Sequence, residues 1–191
     1  AGVATPEDRH WYQCTYAREP GSVAAPTAGL HLSEELLSAL DGHGIERCAV
    51  TLHVGPGTFF PIRQADLRQH SVLAERFELS RRCATQIYAA QRDRRPIVAV
   101  GTTTTRVLEH LAAQHGAEMW PHGHGRADLT ILPGHRFRAI SGLMTNFHLP
   151  KSSLLVLVSA LVGRQRLLKA YRAAVEAGYR FYSYGDATLL I

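Results

Sequence analysis

Residues 96–100 form a short, wholly apolar run that stops at Gly101 and passes at once into a helical pattern. Val107, Leu108, Leu111 and Ala112 make the apolar face of that helix. A strand that turns on one glycine straight into a helix is the repeating unit of α/β sheets, where the helix packs back over the sheet it has left. The same alternation recurs. Ser33 is placed to cap a helix through Asp41, with Glu34 and Glu35 in its first turn and Leu36, Leu37 and Leu40 on its apolar face. Residues 46–54 then alternate as a strand, with Val50 and Leu52 on one side and Thr51 and His53 on the other. Ser80 caps a second helix carrying Cys83, Ile87 and Ala90. Residues 129–132 and 142–145 read as strands, and 116–125 as a His/Gly-rich loop. An apolar helix starts at Ser152 or Ser153 and runs to about Val162, another covers 165–177, and 179–184 read as a final strand. The pattern predicts one α/β domain over residues 1–191, with a mixed, largely parallel sheet flanked by helices.

The chain has 191 residues, enough for a real core, and is 46% hydrophobic and 19% charged. Its net charge of +5 favours an anionic partner, nucleic acid ahead of acidic membrane. Cys14, Cys48 and Cys83 form no CxxC pair, so a reducing cytoplasm is the simplest compartment, and Cys48 and Cys83 read as core fillers. The longest apolar run, 154–162, is too short to span a bilayer. A start at Ala1 with polar, unpatterned sequence is what a fragment or processed product would show.

In α/β sheets ligands gather beyond the carboxyl ends of the strands. Several polar junctions fall there. At Gly101-Thr102-Thr103 the free N–H groups and hydroxyls of a helix start suit a carboxylate or another anion, or serve only as a cap. The run has no P-loop lysine and no GxGxxG pattern. Arg106, one turn on, reaches a phosphate or carboxylate, or pairs at the surface with Glu109 or Asp128. In Thr145-Asn146-Phe147-His148-Leu149-Pro150, Asn146 and His148 point the same way if the segment is extended, so an amide grip sits beside a proton carrier. His53 stands just before Gly55-Pro56-Gly57 and is a second candidate proton carrier. Asp186, after Gly185, suits a ribose hydroxyl or an amine. His31, Gly57 and Thr58 lie in junctions of the same texture and join the substrate-binding set, with Glu75 among the catalytic candidates. Tyr182, Tyr184 and Phe181 either stack on bases or fill the core. His122-Gly123-His124 lacks an acidic or thiol partner at ligand spacing, so no metal is expected.

Taken in order, these junctions resemble the S-adenosylmethionine:tRNA ribosyltransferase-isomerases of queuosine biosynthesis. The matching runs include Tyr12-Gln13, residues 21–31, 50–58, 99–106, Pro133-Gly134, 145–150, Ser159-Ala160 and 179–187. The resemblance implies a cytoplasmic enzyme with S-adenosylmethionine as co-substrate, no cofactor or metal, and tRNA as partner. It also implies transfer of the ribosyl group onto 7-aminomethyl-7-deazaguanine at the wobble position, giving epoxyqueuosine, adenine and methionine. Members of the family are longer, so the chain is expected to be the C-terminal part of the main domain, without the family's inserted β-barrel domain, and monomeric. Where the family usually shows Met-His-Ser-Glu after an Asp-His pair, this chain has Val72-Leu73-Ala74-Glu75 after Gln69-His70. Ser141 stands where aspartate is common. Leucine can neither move a proton nor donate a hydrogen bond. The alternatives are therefore a non-catalytic or truncated RNA-binding relative, or a transferase acting on a non-tRNA acceptor.

Overall fold

The computed structural model describes residues 11–55, 62 and 66–191. Gly57 and Thr58 lie outside the described residues. After a 3-10 turn, Thr27–His31, the elements are α1 (Glu34–Gly42), β1 (Val50–His53), β2 (Glu75–Leu79), α2 (Arg81–Arg92) and β3 (Val98–Val100). They continue with α3 (Thr102–His115), β4 (Gly123–Ala127), β5 (Gly142–Asn146), α4 (Ser153–Val162), α5 (Arg164–Glu176) and β6 (Ala187–Leu190).

The α/β reading holds, but the expected largely parallel sheet is corrected. Among the described residues the strands form two three-stranded sheets, β1-β2-β4 and β3-β5-β6. The first is wholly antiparallel, and in the second only β3 and β5 run parallel. Helix α3 packs against both sheets, touching β1, β3, β4 and β5. It is therefore buried nearly all round from Thr102 to Ala112. One core spans the two sheets, with Phe77, Leu79, Val107, Leu111, Leu143 and Leu157 at its centre. Burying each such leucine contributes about 2 kcal/mol.

Serines set the helix starts as the sequence predicts. Ser33, Ser80 and Ser152 accept hydrogen bonds from the N–H groups of Leu36, Cys83 and Leu155. Each satisfies one orphan donor of a helix's first turn. Three segment readings are corrected. The His/Gly-rich stretch expected as a loop contains strand β4. Its Gly125 lies opposite Phe77, whose ring occupies the space a side chain would need: a Cβ there would sit 2.4 Å from it. Residues 129–132 are not a strand, because their polar groups are engaged elsewhere: Leu129 C=O accepts from Arg106 and Thr130 Oγ1 accepts from the Val72 N–H. The edge strand β3 is only partly covered, with Val98 45% exposed. Residues 179–184 form a tight loop instead of a strand, with Tyr182 at φ 78°. Phe181 packs there against Phe147 and Tyr171 at ring-centroid distances of 4.9 and 5.5 Å, while Tyr182 and Tyr184 remain half exposed. Of the two cysteines read as core fillers, Cys83 is buried and Cys48 is exposed.

Candidate functional site

The carboxyl ends of β3 and β5 open on one cleft of about 580 Å³, part of it open solvent. Gly101, Thr102 and Thr103 form one wall, Thr145, Asn146 and His148 a second, and Tyr182-Ser183 with residues 24–28, Val54 and Leu154 the rest. Among the described residues, none lining it carries a formal charge unless His148 is protonated.

The first wall follows from the sequence. Gly101 adopts φ 92°, a conformation that disfavours any side chain, so β3 turns into α3 within one residue. Its N–H donates to Met144 C=O at 2.8 Å, tying the turn to β5. Its C=O accepts from both the N–H and the hydroxyl of Thr105, each at 3.1 Å. No side chain caps the helix. The first N–H groups of α3 therefore keep the positive end of the helix dipole at the cleft.

The second wall is built from polar groups that are almost wholly buried. Asn146 is 2% exposed. Its Nδ2 donates toward the carbonyls of Tyr182, Ser183 and Gly185 at 3.1, 3.3 and 3.3 Å, which stitches the 182–185 loop to the end of β5. Three acceptors around Nδ2 fix which end of the amide is nitrogen. The buried Oδ1 has no hydrogen-bond partner. His148 Nε2 lies 3.0 Å from Thr145 Oγ1, and its backbone N–H donates to the Tyr171 hydroxyl at 2.9 Å. Burial without a counter-charge lowers the His148 pKa to about 4. The imidazole is neutral at pH 7 and enters any reaction there as a proton acceptor or hydrogen-bond partner, not as a preformed imidazolium acid.

The structure thus gathers His148, Asn146, Gly101, Thr102 and Thr103 on one cleft. It places the other candidates elsewhere. Arg106 lies behind α3 and not at the surface: it donates to Glu75 at 2.8 Å, to Leu129 C=O at 3.0 Å and to Leu73 C=O at 3.1 Å. Both members of that ion pair are under 5% exposed. Burial pulls the Arg106 pKa down, partly offset by Glu75 and Asp128. The expected partner Glu109 instead accepts from the N–H groups of Arg138, Ala139 and Ile140. His53 ends β1 with its ring against Gly21, where a Cβ would meet Nδ1 at 2.9 Å. Asp186 accepts from the Arg180 N–H at 2.7 Å, and that bond first, then the Arg180 and His31 charges, hold its carboxyl below the ordinary range. His31 closes the 3-10 turn whose start lines the cleft, with Nε2 buried and unpartnered. Leu73 is exposed and meets Arg106 only through its carbonyl. Ser141 exchanges hydrogen bonds with the Ile97 backbone beside β3.

Sequence reasoning assigned no role to residues 24–27 and Ser183 at the cleft, or to Tyr171 beneath His148, and left Tyr182 between base stacking and core filling. The run at Pro26-Thr27-Ala28-Gly29 was visible as a junction, but its approach to Gly101 is a long-range contact with no local signature.

Fold and cleft together define an α/β scaffold with a cleft at the ends of two parallel strands, beside a helix N-terminus and a neutral histidine. A family model described as queuosine biosynthesis protein matches residues 3–190. An S-adenosylmethionine:tRNA ribosyltransferase-isomerase of Synechococcus sp. (strain RCC307) is 56% identical over 180 residues, covering 94% of this chain and 49% of its own length. The protein of the same name from Anaeromyxobacter dehalogenans (strain 2CP-C) is 56% identical over 185 residues, covering 97% of this chain and 53% of its own. The crystal structure of an S-adenosylmethionine tRNA ribosyltransferase from Thermotoga maritima superposes with a TM-score of 0.69 at 35% identity, over 86% of this chain and 51% of that one. The chain belongs to the S-adenosylmethionine:tRNA ribosyltransferase-isomerase family of queuosine biosynthesis. It spans about half the length of the curated relatives it matches. Among the described residues, no helix is long and apolar enough to cross a membrane.

Proposed function

We propose that this chain takes part in transferring and isomerising the ribosyl group of S-adenosylmethionine onto 7-aminomethyl-7-deazaguanine at the tRNA wobble position. The products are epoxyqueuosine, adenine and methionine. The observation that carries this reading is the neutral cleft, assembled from the runs that mark the family: 24–28, 101–103, 145–148 and 182–183. In this reading S-adenosylmethionine is a co-substrate, with no resident cofactor or metal. His148 is the proton carrier: its neutral imidazole accepts a proton from carbon beside the sulfonium, and Thr145 and Tyr171 hold it in place. Asn146, Gly101, Thr102 and Thr103 hold the co-substrate. His53, His31 and Asp186 belong to an outer set that meets the tRNA acceptor, and Gly57 and Thr58 are further substrate-binding candidates. Glu75 and Arg106 act by positioning α3 behind the cleft, since each is committed to the other. The net charge of +5 suits a tRNA partner in the cytoplasm, and Arg164, Arg166, Lys169 and Arg172 on α5 are exposed for phosphate contacts.

The test is adenine release from S-adenosylmethionine by the purified chain with tRNA bearing the aminomethyl base, followed by chromatography. Release that requires this tRNA supports the reading. Leu73, standing where the family usually shows histidine, favours one second reading, an RNA-binding relative without turnover. Tight tRNA binding with no adenine would establish that reading instead. Release only with a small-molecule acceptor would assign the chain to a transferase outside tRNA modification.

A further inference from the structure

Two features of the cleft have no partner among the described residues. One is the uncapped start of α3 at Thr102 and Thr103, whose N–H groups seek an acceptor. The other is Asn146 Oδ1, buried, fixed in orientation by three carbonyls at Nδ2, and seeking a donor. The two line the same cleft. β3 and β5 run parallel with Val100 opposite Met144, and the Gly101 N–H bonds Met144 C=O. Thr102 lies two residues beyond that pair as the first residue of α3, and Asn146 two residues beyond it as the last residue of β5. An anion-seeking site and a cation- or N–H-seeking oxygen on one cleft match the two charged groups of one α-amino acid.

We propose that this corner of the cleft is the subsite for a zwitterionic α-amino-acid head, the carboxylate taken by the N-terminus of α3 and the ammonium by Asn146 Oδ1. It rests on the reading of the cleft as an S-adenosylmethionine site, and identifies the held end as the methionine end. The neutral lining explains why backbone and amide groups hold the two charges, since a full cation or anion in the wall would favour one half of a zwitterion and repel the other. With the head anchored at the strand ends, the sulfonium and the sugar extend toward His148 on the same wall. Asn146 is thus a binding residue for the co-substrate as well as the staple of the 182–185 loop.

The experiment alters the ligand and leaves the protein untouched. Titration calorimetry on the intact chain compares S-adenosylmethionine, its analogue lacking the α-amino group, and its decarboxylated analogue. Each deletion is expected to weaken binding by about tenfold or more, as for loss of a charge-assisted hydrogen bond. Analogues that bind within about twofold of S-adenosylmethionine overturn the subsite while the reading of the cleft stands. No measurable binding of S-adenosylmethionine itself overturns both. Asn146→Ala, checked for folding by its thermal transition, is expected to erase the penalty for the missing amino group and to retain the penalty for the missing carboxylate. If Asn146→Ala does not fold, the ligand comparison alone decides.

Discussion

Acidification should weaken this fold through one side chain. His148 is buried against Thr145 and Tyr171 with no carboxylate beside it, and burial lowers its pKa from 6.5 to about 4. Between those two values the unfolded chain holds a proton that the folded chain refuses. Stability therefore rises with pH across that window: it is fully present above about pH 6.5 and is lost progressively as pH falls toward 4. The whole shift corresponds to about 3 kcal/mol, at about 1.4 kcal/mol per pH unit. Down to pH 5, where most carboxylates are still ionised, the loss is about 2 kcal/mol. Of the 11 histidines, only this one is removed in His148→Gln, which keeps a polar group opposite Thr145. Urea unfolding at pH 7 and pH 5 should show the wild-type chain losing about 2 kcal/mol more than the variant between the two conditions. The remaining titrations are common to both chains and cancel in that difference. Parallel pH dependence of the two chains, or an imidazole NMR titration of His148 centred near its ordinary value, would refute the reasoning and the picture of a neutral imidazole poised in the cleft.

Two further outcomes follow from the same structure. Glu75→Gln leaves the Arg106 guanidinium buried without its counter-charge, and should cost about 3–5 kcal/mol in urea unfolding; a loss below about 1 kcal/mol would show that the pair is solvated. Replacing Arg164, Arg166, Lys169 and Arg172 on α5 by Gln should leave thermal stability within about 1 kcal/mol while flattening the salt dependence of tRNA binding; an unchanged slope would remove α5 from the tRNA surface.

The elements that the sequence made legible are those fixed by local chemistry. Serine caps announce α1, α2 and α4, because a hydroxyl that satisfies a helix's first N–H groups needs only a three-residue reach. Gly101 announces the turn between β3 and α3, since few other residues adopt its φ of 92°. The pairing of Asn146 with His148 on one wall was likewise readable from their spacing. Strand β4 was not: Gly123, His124 and Gly125 have no strand propensity of their own, and Gly125 is in a strand because the Phe77 ring fills the place of its side chain. Residues 129–132 have strand propensity but accept hydrogen bonds from Arg106 and Val72.

The site divides along the same line. By themselves, the residues determined the family, the α/β class and a cleft at Gly101-Thr102-Thr103 and Asn146–His148, because each of these is written in contiguous motifs. Only the tertiary structure decided that Arg106 turns inward to Glu75, a residue 31 positions away, and that the sheet divides into two around α3. It also decided that one end of the Asn146 amide is spent on a loop while the other is left open. The physical reason is common to all three. Propensity and motif act over a few residues, whereas the partner of a buried charge, the pairing of a strand and the desolvation of an amide depend on which distant segments the core brings together.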